Sequence, residues 1–121
     1  MLKQKSMQRA ISGYHLLMIL TNVDGKLNVN EDLVIRDWLS QHFLVKPNLD
    51  DEMEVISTLE KSDYASHFHM HMNLFYQHSE KQDRLELLQF AMNIIKADGQ
   101  ISKEENTFFN ELYDAWNEES E

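Results

Sequence analysis

Two copies of one eight-residue pattern carry the residues that are best placed for chemistry in this sequence. The first copy runs from Asp24 to Glu31 and the second from Asp98 to Glu105. Both have the form Asp-Gly-x-(Leu/Ile)-(Asn/Ser)-x-x-Glu, and the second begins 74 positions after the first. Carboxylate oxygens are the side-chain ligands that hard divalent cations prefer. The pattern places four such carboxylates in equivalent positions of the two copies.

The pattern matches only the second half of an EF-hand calcium loop, which needs an aspartate, a glycine and a bidentate glutamate at fixed positions. The first and third loop positions would fall on Leu20 and Asn22 in one copy, and on Ile94 and Lys96 in the other. Leucine and isoleucine cannot ligate a metal, so both copies lack half of the calcium cage. We reject a true EF-hand.

Helix capping explains much of the pattern without any ligand. Asn28 and Glu31 have the spacing of an N-cap residue and the third helical residue, as do Ser102 and Glu105. At this spacing the glutamate can accept a hydrogen bond from the backbone N–H of the cap residue. The glycine after each aspartate is suited to ending the preceding helix with a positive φ. In this interpretation the motif is architectural.

The apolar residues around the two copies repeat as well, which indicates a duplicated helix-turn-helix. Upstream, Leu16, Leu17, Met18, Leu20 and Val23 align with Phe90, Ala91, Met92, Ile94 and Ala97. We expect a single domain with half-repeats at about residues 7–43 and 80–117, joined by helices within residues 50–78. Leu27 and Ile101 are expected to pack between the two helices of each corner.

Periodicity of the apolar residues predicts an all-α protein, a helical bundle without strands. In the first half we expect a helix over residues 3–22, a second helix from the Asn28 cap to about Phe43, and a loop over residues 44–50 that contains Pro47. A short helix capped by Asp50 or Asp51 and a helix over residues 64–77 should follow. The last two helices should run from a capping box at residues 79–82 to near Ala97, and from the Ser102 cap onward. In the second helix the expected inward residues are Leu33, Ile35, Trp38 and Leu39. The fifth helix is apolar nearly all round, so we expect it to be the buried central element.

At these motifs the sequence resembles the TerB-like domain family, named for tellurite resistance. The resemblance is best over residues 94–112 and fair over residues 16–39. It implies an all-α bundle of two pseudo-symmetric halves whose acidic motif residues cluster and bind metal ions. Carried over by position, the implied metal ligands are Asp24, Glu31, Asp98 and Glu105. The sequence departs from the family pattern in its first copy, at Val23, Asn28 and Asn30.

The resemblance also implies a function, that of a non-enzymatic module in a stress-response or assembly role. The cation at the corners would be Ca²⁺, Mg²⁺ or Mn²⁺, because oxygen ligands favour these ions over zinc. The alternative is a metal-free interaction scaffold in which the motif only caps helices.

A cluster of histidines forms a second, weaker metal candidate. His67 and His71 lie four residues apart, on one face of a helix, with His78 near the same stripe and Asp63 one turn before them. Such a pair can hold zinc or nickel. The glutamate of the His-Glu-x-x-His motif is absent, and histidines on a partly solvated helix face are common. A metal-dependent hydrolase built on His67 and His71 is therefore the least favoured alternative.

Composition limits the partners. Lysine and arginine number 11 against 21 aspartate and glutamate, a net charge of −10, and cysteine is absent. An acidic surface repels nucleic-acid backbones and anionic lipid, so we expect no nucleic acid and no binding to a membrane surface. The apolar run from Tyr14 to Leu20 is too short to span a bilayer, so we expect no membrane insertion. The start of the sequence lacks the features of a secretory signal, which predicts a cytoplasmic protein. A protein partner of unknown identity is expected.

Overall fold

Helices account for almost all of the described chain. The computed structural model describes residues 2–22, 29–45, 48–96 and 101–119. The helices are α1 (Leu2–Asn22), α2 (Val29–Phe43), α3 (Leu49–Thr58), α4 (Tyr64–His78), α5 (Lys81–Lys96) and α6 (Lys103–Glu119), with a 3₁₀ turn (Lys61–Asp63) before α4. No strand occurs in these ranges, and the predicted all-α bundle is confirmed. None of the described helices is both long and apolar enough to cross a bilayer.

The central element is α1, and the prediction that α5 occupies this place is wrong. Every residue of α1 from Ser12 to Asn22 is buried, and α1 contacts each of the other five helices, most extensively α4 and α2. In α5, Leu85 is 49% exposed and Phe90 only half-buried. The apolar residues of a helix show which surface it could bury. How much of that surface is buried depends on how many other helices pack around it, and in this bundle all five other helices pack around α1.

A glycine in α1 permits this close packing. A Cβ atom added at Gly13 would lie 3.1 Å from Cδ2 of Leu39 on α2, 3.5 Å from Cε2 of Phe75 on α4 and 3.6 Å from Cδ1 of Leu87 on α5. The three other helices thus approach α1 at one level of the bundle. Glycine weakens a helix by about 1 kcal/mol relative to alanine, and here the missing side chain makes room for that approach.

The exposed face of α2 differs from the predicted one. Ile35 and Leu39 are fully buried and Trp38 is half-buried, but Leu33 is 58% exposed. Leu33 follows Asp32, which is buried in a polar network with α1. That network sets the rotation of α2, which explains why a carboxylate faces inward and the next leucine faces solvent.

Two of the predicted helix caps lie one residue or more away from the observed ones. Helix α3 is capped by Asn48, whose Oδ1 accepts from the Asp50 backbone N–H at 3.2 Å, so Asp50 and Asp51 belong to its first turn. At the start of α5, Asp83 Oδ2 accepts from the Glu80 backbone N–H at 3.1 Å. In place of the capping box expected at residues 79–82, the described contacts show this single bond, one residue further along the chain. Pro47, in the predicted loop, lies outside the described residues.

Candidate functional site

The four acidic motif residues are only partly covered by the structure. Asp24 and Asp98 lie outside the described residues. Glu31 is half-buried in the first turn of α2, and Glu105 is 8% exposed in the first turn of α6. That the two acidic corners, residues 24–31 and 98–105, bind a cation stays a prediction.

The described part of the second corner has the geometry of a capping box. The Ser102 hydroxyl accepts from the Glu105 backbone N–H at 3.0 Å, and Oε1 of Glu105 accepts from the Ser102 backbone N–H at 2.9 Å. This reciprocal pair satisfies two N–H groups at the start of α6, and the predicted cap is confirmed. Ile101 is 39% exposed, and because residues 97–100 of this corner lie outside the described chain, its packing between the two helices stays a prediction. The first-copy residues Leu27 and Asn28 lie outside the described chain.

A second site is formed by three histidines that converge inside the bundle. His67 and His71 are one helical turn apart on α4, and both face His15 in the middle of α1. One ring nitrogen from each histidine can be chosen such that all three lie within 4.8 Å of one another. Glu52 of α3 contacts His15 from the other side. We call these four residues the histidine centre.

The rings of the histidine centre are ordered by contact with one another. His15 and His71 stack, with ring centroids 3.9 Å apart and planes 4° from parallel. The His67 ring is tilted by 48° to His15 and by 52° to His71, with centroid distances of 4.9 and 4.6 Å. Side chains from α1 and α4 meet here because these two helices share the largest contact in the bundle.

A chain of hydrogen bonds sets the tautomers. Nε2 of His15 lies 2.8 Å from Oε1 of Glu52, and Nδ1 of His15 lies 2.9 Å from Nε2 of His67. A carboxylate only accepts, so the His15 Nε2–H donates to Glu52. In the neutral ring Nδ1 then carries the lone pair and accepts from the His67 Nε2–H.

His71 differs from the other two, because its Nδ1 is buried and has no hydrogen-bond partner among the described residues. An unpaired buried polar atom costs free energy of about 1–3 kcal/mol. Burial lowers the pKa of His71 to about 3, and the neighbouring His15 and His67 add to this shift. Burial also lowers the pKa of His15, against the opposing effect of Glu52, and the pKa of His67. All three rings are therefore neutral at neutral pH.

The other histidines and Asp63 do not join this centre. Nδ1 of His78 contacts the Leu74 carbonyl at 2.8 Å, and Nε2 of His69 contacts Glu111 at 3.0 Å on the exposed side of α4. Asp63 is exposed at the start of α4. The predicted pair His67 and His71 is thus brought together as expected, without His78.

Sequence reasoning missed His15 and Glu52. His15 follows Tyr14 at the start of an apolar run in α1 and is only 2% exposed, so apolar periodicity assigns its position to the core. A signal was present, because a histidine is the only titratable residue in the run that follows Tyr14 as far as Leu20. Glu52 belongs to an acidic first turn of α3 and nothing in its spacing singles it out.

Acidification should destabilise the metal-free protein through His71. The unfolded chain takes up a proton as the pH falls through 6.5, whereas folded His71 does so only near pH 3. Because the unfolded state binds more protons in this window, stability is lost as the pH falls. For His71 alone we expect a loss of about 2 kcal/mol between pH 7.5 and pH 5.

Urea unfolding in EDTA at both pH values measures this loss. In His71→Leu the difference between the two pH values should shrink by about 2 kcal/mol, while the exposed-site control His69→Gln should keep it. An equal pH dependence in wild type and His71→Leu would contradict the prediction.

Comparison with known proteins identifies the family. The model of the family described as tellurite resistance protein TerB matches residues 10–117, a range that contains both acidic corners and all of the histidine centre. A search of curated proteins and a search of solved structures found no match. Because the family match covers nearly the whole chain, this protein belongs to the TerB family.

Proposed function

We propose that this protein is a non-enzymatic, cytoplasmic module that binds a hard divalent cation at its acidic corners and acts on a partner protein in a stress response or assembly. The ligands would be Asp24, Glu31, Asp98 and Glu105, and the cation Ca²⁺, Mg²⁺ or Mn²⁺. The cation would neutralise the four carboxylates and draw the two acidic corners together. This would favour the conformation that the partner recognises.

The burial of Glu105 is the observation that supports this proposal most directly. Its neighbour Glu104 is exposed, as a solvated residue of a helix cap would be, whereas Glu105 is 8% exposed. Glutamates are seldom buried without a compensating partner. The capping box occupies Oε1, and an oxygen-ligated cation is a suitable partner for the rest of the carboxylate.

The alternative is a metal-free scaffold, and the capping box is the observation that favours it. The two reciprocal hydrogen bonds of Ser102 and Glu105 account for the serine and the glutamate at these positions without an ion. In that case the net charge of −10 would attract a partner with a basic surface, and binding would weaken as salt screens the charges.

The double substitution Glu31→Gln, Glu105→Gln separates the two alternatives, because glutamine can keep the capping box but has no charge. Thermal unfolding of the metal-stripped protein is followed with Ca²⁺, Mg²⁺ or Mn²⁺ added. A cation at 100 times its dissociation constant should add about 2.7 kcal/mol, or roughly 10 °C in a domain of this size. We expect this shift in wild type and its loss in the double variant.

The matched control is Glu104→Gln, which removes an exposed charge from the same helical turn and should keep the shift. A shift of equal size in wild type and the double variant would place the cation elsewhere. If no cation moves the melting temperature of wild type, the scaffold alternative is favoured, and pull-down with basic peptides becomes the relevant measurement.

A further inference from the structure

We propose that the histidine centre is a second metal site, in which His15, His67 and His71 bind one Zn²⁺ ion and Glu52 holds the His15 ring in position. This site is separate from the acidic corners in its residues and in the class of ion it takes. It would connect α1 to α4 directly, and α3 through Glu52.

The donor set fits a borderline metal. Imidazole nitrogens suit zinc, copper, nickel and iron, whereas the hard cations expected at the corners prefer oxygen. Three histidines with one open position is a known zinc arrangement. A metal needs the neutral ring, and burial of these rings at neutral pH supplies that state.

The histidine centre also contains a ring nitrogen without a hydrogen-bond partner among the described residues. Nδ1 of His71 is buried without a hydrogen-bond partner among the described residues, although the ring is stacked on His15 and only 7% exposed. If the three histidines were only core residues, this atom would carry an uncompensated desolvation cost. An ion bound through Nδ1 would remove that cost, because the nitrogen lone pair becomes a ligand.

Zinc binding requires changes in both the nitrogen–nitrogen distances and the orientation of one ring. Zinc–nitrogen bonds of about 2.0–2.1 Å in a tetrahedron place the ligand nitrogens about 3.3 Å from one another. In the structure His15 Nδ1 and His67 Nε2 are 2.9 Å apart, and one ring nitrogen from each of the three histidines can be chosen such that all lie within 4.8 Å. A metal lies in the plane of each ligand ring, so His71 must rotate out of its parallel stack on His15. His67 is half-buried and is the most solvent-accessible of the three rings.

Glu52 acts as a positioning residue. It accepts from Nε2 of His15 at 2.8 Å, which leaves Nδ1 of His15 with a lone pair on the side of His67. A carboxylate that fixes the tautomer of a ligating histidine in this way typically contributes 10–100-fold to metal affinity. An ion bound at Nε2 of His67 takes the place of the hydrogen bond between His15 and His67, so the proton on Nε2 moves to Nδ1 of the same ring and the imidazole stays neutral.

The test is calorimetric titration of Zn²⁺ alone into the tag-free, EDTA-stripped protein after removal of the chelator, at pH 7.5. We expect one strongly bound Zn²⁺ per chain. His67→Gln, at the half-buried position, should weaken binding by at least 10-fold, and Glu52→Gln by about 10–100-fold. His69→Gln, on the exposed side of α4, and the double substitution Glu31→Gln, Glu105→Gln should leave the affinity unchanged.

Histidine ring ¹⁵N spectra of wild type keep the proposal testable if a variant fails to fold. Zn²⁺ should shift the ring nitrogens of His15, His67 and His71 together, at one equivalent, and leave His69 unmoved. The proposal would be overturned if wild type did not bind Zn²⁺ tightly, or if His67→Gln bound it with unchanged affinity. It would also be overturned if His69→Gln or the double glutamate variant lost binding, or if only the other histidines shifted. Failure at this centre leaves the cation titration of the corners unaffected, so the two proposals are tested independently.

Discussion

Phe75→Ala should lower the free energy of unfolding by about 3–5 kcal/mol, the largest effect we expect from one substitution. Phe75 is fully buried on α4, with its ring 5.2 Å from Trp116 of α6 and 6.1 Å from Phe43 of α2. It also lies at the level where Gly13 brings α1 close to its neighbours. Truncation leaves a cavity between four helices, and the cost rises with the volume that the surrounding helices leave unfilled.

Urea unfolding followed by circular dichroism measures this change, with Gln77→Ala as the control. Gln77 is exposed on the same helix, so its replacement should change stability by less than about 0.5 kcal/mol. The emission of Trp116 should also move to longer wavelength in Phe75→Ala, since its stacking partner is lost. A loss of under about 1 kcal/mol would show that the bundle can repack around this position.

Asp32→Ala should cost about 3 kcal/mol, although it removes one of many acidic residues from a chain with a net charge of −10. Asp32 is 5% exposed, and its Oδ1 accepts from the Tyr14 hydroxyl at 2.6 Å and from Arg36 Nε at 3.1 Å. Arg36 continues to Asp50 of α3 at 2.7 Å. The substitution therefore leaves a buried hydroxyl without its acceptor and removes one of the two carboxylates that hold the guanidinium.

Asp37→Ala is the matched control for Asp32→Ala, because Asp37 is exposed on the same helix and bonds only Gln41 among the described contacts. It should change stability by less than about 0.5 kcal/mol. In a Tyr14→Phe background the cost of Asp32→Ala should fall, since no hydroxyl is left unpaired, and this coupling can be read from a double-mutant cycle. Equal costs for Asp32→Ala and Asp37→Ala would contradict the proposed role of the network.

Both metal proposals depend on side chains whose burial differs from that of their neighbours. Glu105 is buried beside the exposed Glu104, and His71 is buried beside the exposed Met70. Glutamate is mostly exposed in folded proteins and histidine is intermediate, so a polar side chain buried at either position needs a compensating contact. The capping box is such a contact for one oxygen of Glu105, whereas Nδ1 of His71 has none among the described residues.

Local signals in the sequence predicted the helices well. The signals used were the scarcity of glycine and proline, the apolar periodicity and the Ser102–Glu105 spacing. Each of them depends on residues within one or two helical turns, so the six helices and the α6 cap could be inferred from neighbouring residues. The errors at the caps of α3 and α5 have the same local origin. Several acidic or polar residues adjoin each start, and only backbone geometry selects Asn48 for α3 and the Glu80–Asp83 pair for α5.

By itself the sequence determined the class of fold and the family, because these depend on residue types at fixed short spacings. Tertiary structure decided which helix is central, why Leu33 is exposed and Asp32 buried, and which residues meet His67 and His71. His15 and Glu52 come from α1 and α3, far from α4 in sequence, and meet its histidines only because α1 packs against both helices. Contacts between such distant segments are set by the packing of whole helices, and no periodicity within one helix encodes them.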